Sequence, residues 1–206
     1  MKKFEELNLL ELDTIREIGS IGTGNAATAL SSMLGAEVRI SLPQVRIMGY
    51  NEAIDWIGGP EAITSGVLVG LRGEINGVML CVQQLPFARL VLRRMLGKEV
   101  SSYEELDEIC RSALVEVGNI MVSTFVNALC GLAGIGIKLT VPAFALDMQG
   151  AILAVPMAEY GFQSDYILTI SSDFICEGET VPYRMLLSPD VRSLNFLLEK
   201  LGVLDG

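Results

Sequence analysis

The sequence predicts an α/β fold of the α+β type: a pseudo-twofold internal repeat with two long helices on the outside of a shared β-sheet layer. Three observations predict it. The stretch Asp13–Ser20 returns as Ser112–Asn119, 99 residues later. The two copies run without a gap to Pro43 and Pro142, and seven of the 31 aligned positions are identical. These are Glu17/Glu116, Gly19/Gly118, Ile21/Ile120, Ala29/Ala128, Leu30/Leu129, Gly35/Gly134 and Pro43/Pro142. Helix-period and strand-period patterns then follow in the same order in each half. The expected organisation is one domain, 1–206, made of repeats over about 8–98 and 102–203.

The elements follow from local chemistry. Asn8-Leu-Leu-Glu11 has the shape of a capping box and starts a helix near residue 9. Leu12, Ile15, Ile18, Ala26, Ala29, Leu30 and Met33 fall on one helical stripe, and Gly35 is the stop. Val38, Ile40 and Leu42 alternate with Arg39 and Ser41, which reads as a half-buried strand ending at Pro43. A short helix is expected over 51–57, strands over 66–71 and 75–82, and a helix from Leu85-Pro86 to Leu96-Gly97. In the second half Ser102-Tyr-Glu-Glu105 reads as the capping box of a helix reaching Gly134. Ile137, Leu139 and Val141 form the alternating strand, 165–174 and 180–187 pair around Gly178, and Ser188-Pro189 caps a last helix ending at Leu201-Gly202.

Composition narrows the function. Net charge is −10 with no basic run, which argues against nucleic acid and anionic membranes as partners. There is no histidine, so a Ser-His-Asp triad, phosphohistidine chemistry and histidine metal sites are all excluded. The four cysteines form no CxxC, and none has an arginine six residues on, so a cysteine-phosphatase loop is absent. They read as reduced core thiols of a cytoplasmic protein, and the acidic turn after Met-Lys-Lys is unlike a signal peptide. Residues 18–36 and 117–137 carry no charge and are each long enough to cross a bilayer. Their glycines, serines, threonines and asparagines favour helices in the core of a soluble protein instead. Gly19-Ser-Ile-Gly-Thr-Gly24 lacks a preceding strand and a Lys-Ser/Thr, so close helix packing explains it better than a nucleotide loop. Asp55, Glu61 and Glu74 form no recognisable metal cluster.

On a helix, positions i, i+4 and i+7 share one face. Asp13, Glu17 and Ser20 therefore lie together, as do Ser112, Glu116 and Asn119. A lone Glu-x-x-Asn is a common pattern on a solvated face. The same Glu and Gly returning in register with a polar residue after them, each time with a trailing proline, is not.

Ser112-x3-Glu116-x2-Asn119-x22-Pro142 resembles the signature of the CheC/CheX/FliY phosphatases of bacterial and archaeal chemotaxis, and 17–31 resembles their first copy. The likeness spans the chain, and two motifs in so short a sequence are similar to the CheC-like members. It implies the family's fold and hydrolysis of the aspartyl phosphate of the response regulator CheY. That phosphate already sits beside the regulator's Mg²⁺ and lysine, so the phosphatase needs no cofactor of its own. A carboxamide both donates to and accepts from water without repelling phosphate, and in phosphoryl transfer such positioning is the main protein contribution. By resemblance Asn119 orients the attacking water and Glu116 pairs with the regulator's lysine. Ser112 and Asp13 lie at the edge of the contact, Ser112 bonding either the partner or its own helix, and Pro142 and Pro43 fix the strand ends. Ser20 departs from the pattern: a hydroxyl is shorter than an amide. The pair Glu17/Ser20 is thus expected to be weak or only docking. The resemblance also implies binding of the receptor deamidase CheD, with Asp147 either in that contact or an ordinary strand-end residue. A monomer is expected. The alternative functions are a module that sequesters phospho-CheY or regulates CheD, and a structural component of the flagellar switch.

Overall fold

The computed structural model describes residues 1–160 and 166–204, without the side chains of Glu159 and Tyr160. Helix α1 spans Leu9–Leu34, followed by strands β1 (Val38–Ile40) and β2 (Gln44–Gly49) and helix α2 (Tyr50–Ile57). Strands β3 (Ile63–Gly73) and β4 (Gly77–Gln83) lead to α3 (Leu85–Leu96). The same order then recurs as α4 (Glu108–Ala133), β5 (Ile137–Leu139), β6 (Ala143–Met148), α5 (Gln149–Tyr160), β7 (Tyr166–Cys176), β8 (Glu179–Pro189) and α6 (Val191–Lys200).

The strands form one antiparallel sheet in the order β1-β7-β8-β4-β3-β5, with β2 also on β7 and β6 also on β3. The halves meet where β4 pairs β8, Leu80 opposite Leu186. Each half also gives its two short strands to the long strand of the other. Val38–Ile40 and Gln44–Gly49 lie along β7, and Ile137–Leu139 and Ala143–Met148 lie along β3. Neither half has a complete sheet alone.

One sheet face carries α1, α3, α4 and α6 over the large core, in which Leu30, Phe87, Leu114, Phe125, Phe174 and Tyr183 are fully buried. The other face carries α2 and α5 over a smaller core around Met48, Leu80, Ile152 and Leu186. Gly22 meets the Phe125 ring, and Ile15 and Ile18 line one cavity with Phe125 and Leu129. Early residues of α1 therefore sit against late residues of α4, so the two helices cross antiparallel and keep their outer faces in solvent. Gly19 and Gly22 of the glycine run do serve packing, as the sequence suggested, and Gly24 does not. Helix α4 is long and apolar enough to cross a membrane by composition alone, and half of its most apolar window is buried inside the fold.

Caps agree with the sequence at α1, where Asn8 and Glu11 bond each other's backbone N–H groups and Gly35 closes the helix in the left-handed region. Two expected caps are corrected. Ser102–Glu105 starts only a 3₁₀ turn, and Asp107, the 99-residue counterpart of Asn8, caps α4 by accepting from Cys110 N–H at 2.8 Å. Lys98 also bonds Asp107, and these contacts hold its carboxyl well below the usual range. At the last helix the cap is Asp190, accepting from Ser193, while Ser188 faces the Tyr50 hydroxyl at 2.9 Å. The long strands run farther than expected, to 63–73, 166–176 and 179–189, and β4 covers 77–83.

The expected strands ending at Pro43 and Pro142 are also corrected. Pairing breaks at Ser41 and at Thr140, then resumes after each proline. A hydroxyl takes over there. Ser41 donates its N–H to Asp173 O at 2.9 Å, and its Oγ accepts from Asp173 N at 2.8 Å. Thr140 does the same with Gly70, at 2.9 and 2.8 Å. Proline has no N–H for the ladder. The residue between clamp and proline is turned outward: Leu42 is 86% exposed and Val141 88%.

Candidate functional site

Helix α4 positions the second motif. Leu114, Val117 and Gly118 are buried, which fixes the rotation of the helix on the sheet. Gly118 is needed for this: a Cβ there would lie 2.6 Å from two carbons of Val67 on β3. The opposite face then presents Ser112 and Glu116 exposed and Asn119 half-buried. None of these three side chains has a hydrogen bond or ion pair among the described residues. An acid and an amide one turn apart, both unclaimed by the fold, are available to another molecule. The half-burial of Asn119 restricts its motion while leaving the amide accessible. Pro142, half-buried, lies two residues beyond the Thr140 clamp.

Helix α1 repeats the arrangement with different chemistry. Gly19 is pressed on β2, where an added Cβ would be 2.5 Å from Val45 Cγ2. Glu17 is exposed without a partner among the described residues, and Ser20 is half-buried. Asp13 is exposed but paired to Arg16 at 2.7 Å. Ser20 and Pro43 are brought together: both line an open groove of ≈430 Å³ with Arg16, Leu42 and Arg46. At the 99-residue offset, Arg16 and Arg46 become Val115 and Ala145 in the second half. The first groove is therefore lined by two arginines, one of them paired to Asp13, and its counterpart has neither.

Sequence reasoning missed the apolar residues bordering these faces. Leu10 and Ile109 are equivalent and 62% and 61% exposed, each one turn before its motif, and Leu42 and Val141 flank the prolines. Alternation had placed Leu42 and Val141 inside. The shared Ser41-x-Pro43 and Thr140-x-Pro142 pattern was the available signal. Asp147 stands apart from both motifs, exposed on β6, its Oδ1 accepting from Met148 N–H at 2.7 Å. Among the described residues no three acidic or thiol side chains gather to hold a metal, and Glu74 accepts from Gly136 N–H instead.

The model of the CheC-like family matches residues 10–47 and 109–146, the two motif helices and the strands after them. Both motif regions of the chain thus resemble the CheC-like family. It is 25% identical to the CheY-P phosphatase CheC of Bacillus subtilis over 206 residues, covering 98% of this chain and 99% of that protein. It is 30% identical to the flagellar motor switch phosphatase FliY of the same organism over 121 residues, 58% of this chain and 31% of that one. Among solved structures it matches Thermotoga maritima FliY with a TM-score of 0.72 and 26% identity, covering 95% and 98% of the two chains. The FliM middle domain of H. pylori shares the fold, with a TM-score of 0.68 at 16% identity over 94% and 99%. The α/β fold that the motifs implied is thus the fold this chain shares with Thermotoga maritima FliY.

Proposed function

We propose that this protein is a chemotaxis phosphatase that hydrolyses the aspartyl phosphate of CheY, with Asn119 orienting the attacking water. The observation that carries the reading is the outward face of α4. There Glu116 and Asn119 stand one turn apart with no partner among the described residues, in a chain similar over its length to a CheY-P phosphatase. The carboxylate of Glu116 pairs with the regulator's lysine and sets the depth at which the amide enters. Asn119 accepts from the water with Oδ1 and donates with Nδ2, which holds it in line behind phosphorus. The regulator supplies the Mg²⁺, so the phosphatase contributes position rather than a cofactor. Ile109 and Val141 give the docked surface apolar contacts beside the motif.

The first motif docks rather than catalyses. Ser20 is short of an amide's reach, and Arg16 and Arg46 line its groove, which suits an acidic partner surface. The test is phosphate release from excess phospho-CheY. Substoichiometric protein clears the pool, Asn119→Ala loses that turnover, and Ser20→Ala keeps it. Near-full activity in Asn119→Ala overturns the assignment, and stoichiometric protection of phospho-CheY without turnover makes the protein a sequestering module.

Binding of CheD is assigned to the β6 edge around Asp147, where Met148 is also 46% exposed. Asp147→Lys is expected to lose co-purification with CheD, and unchanged binding removes Asp147 from that contact.

A further inference from the structure

A second polar feature lies on the other face of the sheet, away from Glu116 and Asn119. Strands β7 and β8 pair Ser171 with Arg184, and β2 sets Gln44 opposite Ser171. Residues opposite one another in a sheet share a face. Ser171, Arg184 and Gln44 therefore point together, toward α2. Trp56 of α2 lies over them, with the Arg184 guanidinium 5.0 Å from the ring centre and that of Arg46 at 5.9 Å. Arg184, Trp56, Ser171, Gln44, Ser41 and Asp173 line a cleft of ≈160 Å³, mostly with polar groups.

Arg184 is under-satisfied in this cleft. Its Nη1 donates to the carbonyls of Tyr183 and Ser172 at 3.0 and 3.4 Å. Its Nε is shielded from solvent and finds no acceptor, and Nη2 makes no hydrogen bond among the described residues. A half-buried cation with a shielded, unused donor is better satisfied when an anion joins it. Burial pulls Arg184 below the usual arginine range, and the charge of Asp173 opposes this without forming an ion pair among the described residues.

The fold does not require these residues. Strand registers make Leu68 the counterpart of Ser171, Leu80 of Arg184 and Gly70 of Asp173, since Leu68 pairs Leu80 as Ser171 pairs Arg184. Ala143 and Ala145 stand where Gln44 and Arg46 stand. The other half fills the same place with hydrocarbon, and Leu80 there is buried. One half thus holds two arginines on an indole where the other holds leucine and alanine.

We propose that the cleft between Trp56 and Arg184 is a binding site for a small oxyanion, phosphate or carboxylate, held chiefly by the Arg184 guanidinium with Arg46 at its rim. Arginine's planar fork suits either oxyanion. Asp173 weakens binding by its own negative charge.

The test is calorimetric titration of the full chain with inorganic phosphate, sulfate and acetate at constant ionic strength, with chloride as the blank. The wild-type protein is expected to bind at least one oxyanion saturably, and the series separates phosphate-like from carboxylate preference. Arg184→Leu places in this half the residue its counterpart already has, and it is expected to weaken binding at least tenfold while melting as a folded protein. Asp173→Asn is expected to tighten binding severalfold, and it decides the matter should Arg184→Leu fail to fold. Heats in wild type no larger than with chloride overturn the proposal, as do oxyanion affinities unchanged in both variants.

Discussion

The ends of α1 and α4 that carry the two motifs share a scaffold and differ in chemistry. Both helices are seated by a glycine, Gly19 on Val45 and Gly118 on Val67. Both are followed by a hydroxyl clamp, an outward aliphatic residue and a proline. The exposures of the paired aliphatics agree to within two percentage points. Yet Ser20 stands where Asn119 stands, and Arg16 and Arg46 stand where Val115 and Ala145 stand. The difference shows that contacts with the protein's own core set the frame, while the outward residues vary independently of it. On the proposed reading, the first motif has lost its reacting group and kept its docking surface.

The largest effect expected from this comparison is on turnover. Asn119→Ala should lower phospho-CheY hydrolysis on the order of 10- to 100-fold, because misplacing one reacting water costs that much. Ser20→Ala should change it less than about twofold. Equal losses in both would break the proposed inequality of the sites. Ser20→Asn sharpens it: a gain of up to about twofold shows that the first helix end is correctly placed and lacks only the amide.

Next in size is packing. Gly118→Ala pushes a methyl group into Val67 and is expected to destabilise by about 1–3 kcal/mol in denaturant unfolding. A neutral result would mean that α4 can lift from the sheet, and that Glu116 and Asn119 are not rigidly held.

A pH effect is expected at both helix starts, with the buried carboxyl at α1. Glu11 is buried, which by itself raises its pKa, but Lys2 at 2.6 Å and the Asn8 N–H outweigh this and lower it. A carboxyl depressed in the folded state adds stability above its ordinary value of 4.5, and that stability is lost as pH falls through the folded value. Glu11→Gln should therefore flatten the acid side of the melting curve, read as Tm between pH 5 and about 2.5. The smallest effect is at Gly24, where a Cβ meets nothing within 4 Å. Gly24→Ala should stabilise by about 0.5–1 kcal/mol, through helix propensity alone.

Much of this was legible in residues 9–43, because caps and helical stripes are local signals. Asn8, Glu11 and Gly35 fix the ends of α1 by bonds to residues at most four positions away. Glu116 and Asn119 could be placed on one face from spacing alone. Ser102 misled because its Glu105 completes a capping pattern, whereas Asp107 is chosen by its bond to Cys110 and its pairing with Lys98. The exchange of short strands between halves left no local trace, since β2 meets its partner more than 100 residues away. Leu42 and Val141 were misread for a related reason. Alternation predicts burial only while the ladder continues, and a side-chain hydroxyl ends it here. The groove at Ser20 also depends on distance, as Arg46 lines it from β2.

The exchanged strands order events during synthesis. When the ribosome has finished Val100, the first half has made β1 and β2 but not β7, the strand they will lie along. Their backbone groups and the inner side chains of β2 must wait, solvated or guarded, for about 70 more residues, several seconds of elongation. The growing chain is therefore most prone to pair with a neighbour's strand in that interval, well after its first motif helix has been made and before its second half can close over it.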